Sequence, residues 1–306
     1  MNQETQGKIK ANLFAASHDA IEDWQDFPWH RDRDGAYTAG MQQSSQAIAI
    51  DVFGTLKKLP SLDAAMAAIA QELDAPDEGP WSIKLEWEDD QNLLKEPRPT
   101  QVDAIAFGAK AVVFFEIKFT EKDGGSCSQT EPIRKGPHKG IRQCNGQYEM
   151  QTNPVNNQTA RCALTGKDIR YWELIPSIFN FAADADHKPC PFAGGWYQWM
   201  RNLVLAKKIA SNRGVTPVFA VAYADAPGLP MAEKIGSDAW NTLTTKLKPE
   251  AQIRTISLQR VVDLASEADG LDGEDATVLR DLSGWIRDKI DAASLGAEAS
   301  HGGPGN

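Results

Sequence analysis

The stretch from Pro99 to Glu121 constrains this chain more than any other. Its β-branched and aromatic residues form two runs around a short turn containing Gly108, the pattern of an antiparallel hairpin. Three charged residues interrupt the apolar runs: Asp103, Glu116 and Lys118. Glu116 and Lys118 are two positions apart, so strand alternation places both on one face. With a two-residue turn at Ala109-Lys110, Gly108 pairs with Ala111, and the same register sets Asp103 opposite Glu116. Directly opposed Cβ atoms lie about 4.5–5.5 Å apart, close enough for two carboxylates to share a divalent cation. Without a cation or a proton they would repel each other. A turn one residue longer or shorter would part them.

The 306 residues are enough for one large α/β domain or two small ones, and a hydrophobic content of 42% supports a substantial core. No apolar run approaches the roughly 20 residues that span a bilayer, and the first residues do not resemble a secretory leader. The expectation is a soluble, cytoplasmic protein without membrane contact. A net charge of −10 argues against a uniformly basic nucleic-acid binder. It leaves room for a local basic groove, because phosphate contacts act at short range.

Residues 9–24 are compatible with a helix. Ser44 and Ser45 are candidate N-caps for a helix over 46–58, whose Ala47, Ile50, Phe53 and Gly54 recur at helical spacing. A second helix is expected over 61–73 and a half-buried strand over 81–88, with Trp81, Ile83, Leu85 and Trp87 on one face. The hairpin strands follow at 101–108 and 111–120. From 122 to 195 the texture changes to Gly, Pro, Asn and Cys, too long and too aromatic for a simple loop. Regular patterns resume with a helix over 197–212 stopped by Gly214, then an almost wholly apolar strand over 216–223. A helix over 231–247, a short strand over 253–258, a helical turn over 258–265 and a last helix over 275–293 complete the chain. The Gly/Ala/Ser-rich tail 294–306 reads as disordered.

The order helix, three strands, helix, strand, with Asp103 on the second strand and Glu116-Ile117-Lys118 on the third, resembles the PD-(D/E)xK nuclease superfamily. Twelve residues separate Asp103 from Glu116. Val102 stands where the motif has Pro, and Pro99 lies three residues earlier. The resemblance implies an α/β fold: a restriction-endonuclease-like αβββαβ core with a mixed central sheet over about 44–225. A Cys-containing insertion (122–195) and helical additions, including a C-terminal part at 226–293, complete a single domain over 1–293.

The resemblance also implies a Mg²⁺- or Mn²⁺-dependent phosphodiesterase acting on DNA. Asp103, Glu116 and the Ile117 carbonyl would hold the cation, and Lys118 would orient the attacking water or stabilise transition-state charge. The plain alternative is a hairpin whose Glu116 and Lys118 are solvated. Many members add a polar group from the first helix, where Gln46 and Asp51 are candidates beside Glu86 on the first strand. Gln198 resembles the accessory glutamine of exonuclease-type members. Arg201, one turn on, has the fork geometry for a phosphate; a capping Gln and a surface Arg are the alternatives. The biological setting implied is restriction, another prokaryotic defence, or repair, with possible protein partners. Two other functions compete: a catalytically silent nucleic-acid-binding or scaffold subunit of the same fold, and an unrelated carboxylate enzyme. No P-loop, GxGxxG or Ser/His/Asp arrangement supports the last.

Cys127, Cys144, Cys162 and Cys190 all follow the hairpin, with no Cys-x2-Cys pair. They are candidate ligands for Zn²⁺ or an iron–sulfur cluster. Ordinary buried cysteines, or a mixed site with His138 or His187, remain alternatives. Between the first two cysteines, Arg134, Lys135, Lys139 and Arg142 stand among glycines with no acidic residue between 133 and 142. That composition fits a phosphate-binding loop, or a solvated basic one.

Overall fold

The computed structural model describes residues 1–301, with side chains through residue 297. In chain order the strands are β1 (Ser82–Glu88), β2 (Gln101–Phe107), β3 (Ala111–Lys118), β4 (Gln151–Thr152), β5 (Thr159–Ala160), β6 (Thr216–Tyr223) and β7 (Ile253–Ser257). The helices are α1 (Gln3–Ala11), α2 (Ser45–Ala49), α3 (Thr55–Lys58), α4 (Leu62–Glu72), α5 (Tyr171–Ile178), α6 (Tyr197–Arg213), α7 (Pro230–Lys234), α8 (Asp238–Thr244), α9 (Leu258–Glu267) and α10 (Gly273–His301). One mixed sheet runs β1-β2-β3-β6-β7. β1–β2 and β2–β3 are antiparallel, while β3–β6 and β6–β7 are parallel. β4 and β5 form a small ribbon of their own.

β3 is buried at every position because helices cover both faces of the sheet, which is why its sequence is a nearly continuous apolar run. On one face α4, α9 and α10 pack Met66, Ile69, Val261, Leu282 and Ile286 against Ala104, Val113 and Phe115. On the other, α5 and α6 pack Ile175, Trp199 and Val204 against Val112, Phe114 and Val221. A smaller N-terminal cluster gathers Ile9, Leu13, Trp29, Ala47 and Ile50. Among the described residues no helix is long and apolar enough to cross a membrane.

Ser44 caps α2, its Oγ accepting from Ala47 N–H at 3.2 Å. The helix then passes through a π-helical turn, Ile50–Gly54, into α3. In that turn sits fully buried Asp51. Its carboxylate accepts from Phe14 N–H (2.7 Å), Trp285 Nε1 (2.9 Å) and Lys289 Nζ (2.6 Å). Burial pushes the Asp51 carboxyl above its ordinary value, against the pull of Lys289. Asp51 thus joins the N-terminal segment to α10 and is not available as an accessory group at the hairpin.

Elsewhere the elements depart from expectation in identifiable ways. The first helix lies earlier than 9–24: Asn2 Oδ1 caps α1 through Thr5 N–H at 2.8 Å, and a 3₁₀ turn, Ala15–Ala20, follows. The helix over 231–247 is split into α7 and α8 around Gly236, whose φ of +83° no helix accommodates. The short strand expected over 253–258 is β7, and it joins the sheet beside β6, so the C-terminal part expected as helical also extends the sheet. α10 runs through the first residues of the expected disordered tail, to His301, and Ser294 Oγ donates to the Pro227 carbonyl at 2.6 Å. The rest of that tail, 302–306, lies outside the described residues.

Leaving Asp51 buried without its partner is the costly way to disturb this frame. Lys289→Met is expected to lose about 3–5 kcal/mol of stability, and pairing it with Asp51→Asn to recover part of the loss. Urea denaturation checks both; an unchanged midpoint for the single variant would contradict the role given to the pair.

Candidate active site

The hairpin register fixes the site. Ala104 pairs with Phe115 and Phe107 with Val112; Gly108 N–H donates to the Ala111 carbonyl at 2.9 Å. A Cβ on Gly108 would sit 2.7 Å from the Trp81 ring, so the turn requires glycine there. Continued by one residue, the same pairing sets Asp103 opposite Glu116, as the two-residue turn implies. Asp103 Oδ2 accepts from Ile117 N–H at 2.7 Å.

Glu116 and Lys118 face α6. Lys118 Nζ lies 2.7 Å from Glu116 Oε1 and donates to Gln198 Oε1 at 3.1 Å. Asn202, one helical turn beyond Gln198, donates from Nδ2 to Glu116 Oε2 at 2.7 Å. Asn202 escaped the sequence reading, although its spacing from Gln198 was the available signal.

The electrostatics follow from this crowding. Burial raises the Asp103 pKa well above the usual carboxylate range, and the carboxylates of Glu116 and Glu86 raise it further. Lys118 shows the converse: burial draws its pKa down, but Glu116 and Asp103 outweigh that and hold it above the ordinary lysine value. Lys118 therefore keeps its charge.

Glu86 is the third acid in this row. The pairs Leu85–Ala104 and Trp87–Val102 bracket it, so it stands opposite Asp103. Its φ is +46°, a left-handed conformation that a non-glycine residue adopts only where surroundings impose it. There the strand turns over. Leu85 and Ala104 pack with one core, whereas Trp87 and Val102 pack with the other. The single face expected for Ile83, Leu85 and Trp87 is broken at this point.

Gln46 reaches Glu86. Its Nε2 donates to Glu86 Oε1 at 2.8 Å and to the Pro28 carbonyl at 3.1 Å, and its Oε1 accepts from His30 N–H at 2.9 Å. Gln101 Nε2 (2.9 Å) and His30 Nε2 (3.1 Å) meet Glu86 Oε2. The hydrogen bond to Glu86 raises the His30 pKa despite partial burial. His30, Ser44, Thr120 and Glu121 line an open groove of about 710 Å³ beside the end of β3.

The other candidates divide. Arg201 is engaged, with Nε 3.1 Å from Thr100 Oγ1 and 3.4 Å from Glu96 Oε1, where Tyr171 OH also donates. Arg134, Lys135, Lys139 and Arg142 are exposed on a loop closed by Ile133 N–H to Ile141 O (3.0 Å) and Gly140 N–H to Ile133 O (2.8 Å). His187 stacks on Tyr148 with its Nε2 3.2 Å from the Ala182 carbonyl.

Among the described residues no three His, Cys, Asp or Glu side chains form a ready-made metal cage. The donors at the hairpin nevertheless fit Mg²⁺, which takes one or two carboxylates and completes its shell with water and phosphate oxygens. Asp103 and Glu116 supply two carboxylates whose mutual repulsion a dication would relieve. Asn202 Oδ1, buried beside Glu116 without a partner, is an acceptor oxygen left unsatisfied.

Comparison with curated proteins and with solved structures finds no match. A family model described as Restriction Endonuclease associating with ARP (REase-ARP) matches residues 8–289, which include the whole sheet and every residue of the hairpin. The chain belongs to that REase-ARP family.

Proposed function

We propose that the protein is a metal-dependent nuclease of the PD-(D/E)xK type that hydrolyses phosphodiester bonds in DNA. The observation that carries this reading is the placement of Asp103 across from Glu116 with Lys118 Nζ 2.7 Å from Glu116. Asp103, Glu116 and the Ile117 carbonyl would hold Mg²⁺ or Mn²⁺. Bound there, the cation supplies positive charge to the phosphoryl oxygens and lowers the pKa of a water.

The chain's own groups do the rest. Lys118, charged and anchored by Gln198, donates to the attacking water or to a phosphoryl oxygen as charge develops. Gln198 and Asn202 hold Lys118 and Glu116 in fixed rotamers, so little reorganisation precedes the reaction. His30 and Thr120 place the DNA strand in the groove. Arg134, Lys135, Lys139 and Arg142, exposed on their loop, would supply further phosphate contacts. The family description points to ARP as a partner, in a restriction, defence or repair setting.

A second reading, a catalytically silent DNA-binding or scaffold subunit, has one observation in its favour: both Glu116 oxygens are already engaged by Lys118 and Asn202.

Cleavage of single- and double-stranded DNA with Mg²⁺ or Mn²⁺ separates the two. Glu116→Ala and Lys118→Ala should each lower the rate by about 10²–10³-fold. Equal cleavage by both variants would mean a contaminant and sink the nuclease reading, whereas salt-sensitive binding without cleavage would establish the silent subunit. In the basic loop, replacing Arg134, Lys135, Lys139 or Arg142 by Gln should weaken binding to all sequences alike. Each replacement should reduce the slope of log K against log salt by about 0.7–0.9; an unchanged slope for all four would remove the loop from the interface.

A further inference from the structure

Between the end of β3 and the start of α6 the chain has little regular structure: 3₁₀ turns, the β4–β5 ribbon and α5. Irregular backbone of that length needs a specific tie. The four cysteines come from separate points of this segment, and backbone hydrogen bonds draw three of those points together. Cys127 N–H donates to Ala193 O at 3.2 Å, Cys144 N–H to Gln129 O at 3.0 Å, and Cys190 N–H to Gly146 O at 2.8 Å. Cys162 packs, with Cys127 and Cys190, against the same apolar cluster. No disulfide joins any of them.

One of the sulfurs also meets a backbone N–H two residues downstream. Gly146 N–H donates to Cys144 Sγ at 3.4 Å. Zinc takes cysteine as the thiolate, so each thiol gives up its proton when the metal binds. Four thiolates so close together repel unless a cation lies between them.

We propose that Cys127, Cys144, Cys162 and Cys190 form a tetrathiolate site for a single Zn²⁺ ion that ties the segment 122–195 into the fold. An all-sulfur, four-ligand set is the soft, tetrahedral environment zinc takes in structural sites. The side chains stand short of ligating geometry, so binding turns them inward, to Zn–S distances of about 2.3 Å, on a backbone already paired.

The site would act on both neighbouring features. Cys127 and Cys144 are the two ends of the segment that carries the basic loop. Gly124 and Gly125, just before Cys127, accept from Gln198 N–H (2.7 Å) and Tyr197 N–H (3.3 Å) at the first turn of α6, and Gln198 is the residue that meets Lys118. Zinc would therefore position α6 without touching the reaction.

Elemental analysis of the full chain, purified without added metal, is the direct test. The expected result is about one zinc per chain, released in step with mercurial titration of four thiols, and a fall of at least tenfold in zinc affinity for Cys144→Ser. Should that variant fail to fold, Co²⁺ substituted into the wild-type chain provides the second measurement. Intense sulfur-to-cobalt charge-transfer absorption is expected, and its absence in a cobalt-loaded chain would overturn the site. A folded chain that neither carries nor takes up zinc would also overturn it. Iron with broad visible absorption would replace the single ion with a cluster. None of these readouts depends on DNA cleavage.

Discussion

The antiparallel register between β2 and β3 is the constraint on which everything else rests. It is held at the turn by the hydrogen bond from Gly108 to Ala111 and by Trp81 lying where a Cβ would be. Along the strands it is held by β3, whose eight residues are all buried between two helical layers. A slip of one residue would carry Glu116 and Lys118 to the opposite core, where nothing could solvate or pair them. The cost of that misplacement pins Asp103 across from Glu116 as firmly as the ladder does.

The acidic row is assembled against its own repulsion, and the surrounding scaffold shows how. Glu116 is gripped by Lys118 and Asn202, Asp103 by Ile117 N–H, and Glu86 by Gln46, Gln101 and His30. At Glu86 the strand accepts a left-handed residue and exchanges its faces, a local cost of roughly 1–3 kcal/mol. That cost is met by burying Trp87 and Val102 in the second core. Strain, like-charge proximity and an unsatisfied Asn202 oxygen coincide at one end of the sheet, the pattern expected of a site tuned for a ligand.

The hairpin, the flanking helices and β6 were legible because each carries its own periodicity or stop signal: apolar runs for β3 and β6, and Gly214 after α6, where φ is +68°. The placement of Asp103 across from Glu116, with Lys118 beside it, was legible because strand register is a local rule. Asn202, and the part Gln46 plays at Glu86, depend on partners far apart in sequence. The exchange of faces at Glu86 has no signature in an alternating strand. Arg201 looked free because its partner, Glu96, lies in a loop without pattern. Asp51 read as a candidate accessory group because its partner Lys289 is 238 positions away. The extension of α10 through Ser294 is a tertiary effect of docking on Pro227, which overrides weak helix formers.

The central claim reduces to whether Asp103 and Glu116 bind a divalent cation together. Mn²⁺ titration followed by electron paramagnetic resonance measures this without substrate. Wild-type protein should remove free Mn²⁺ signal saturably, while Asp103→Asn and Glu116→Gln each weaken binding by about tenfold or more. Binding unchanged in both variants would contradict a shared carboxylate site.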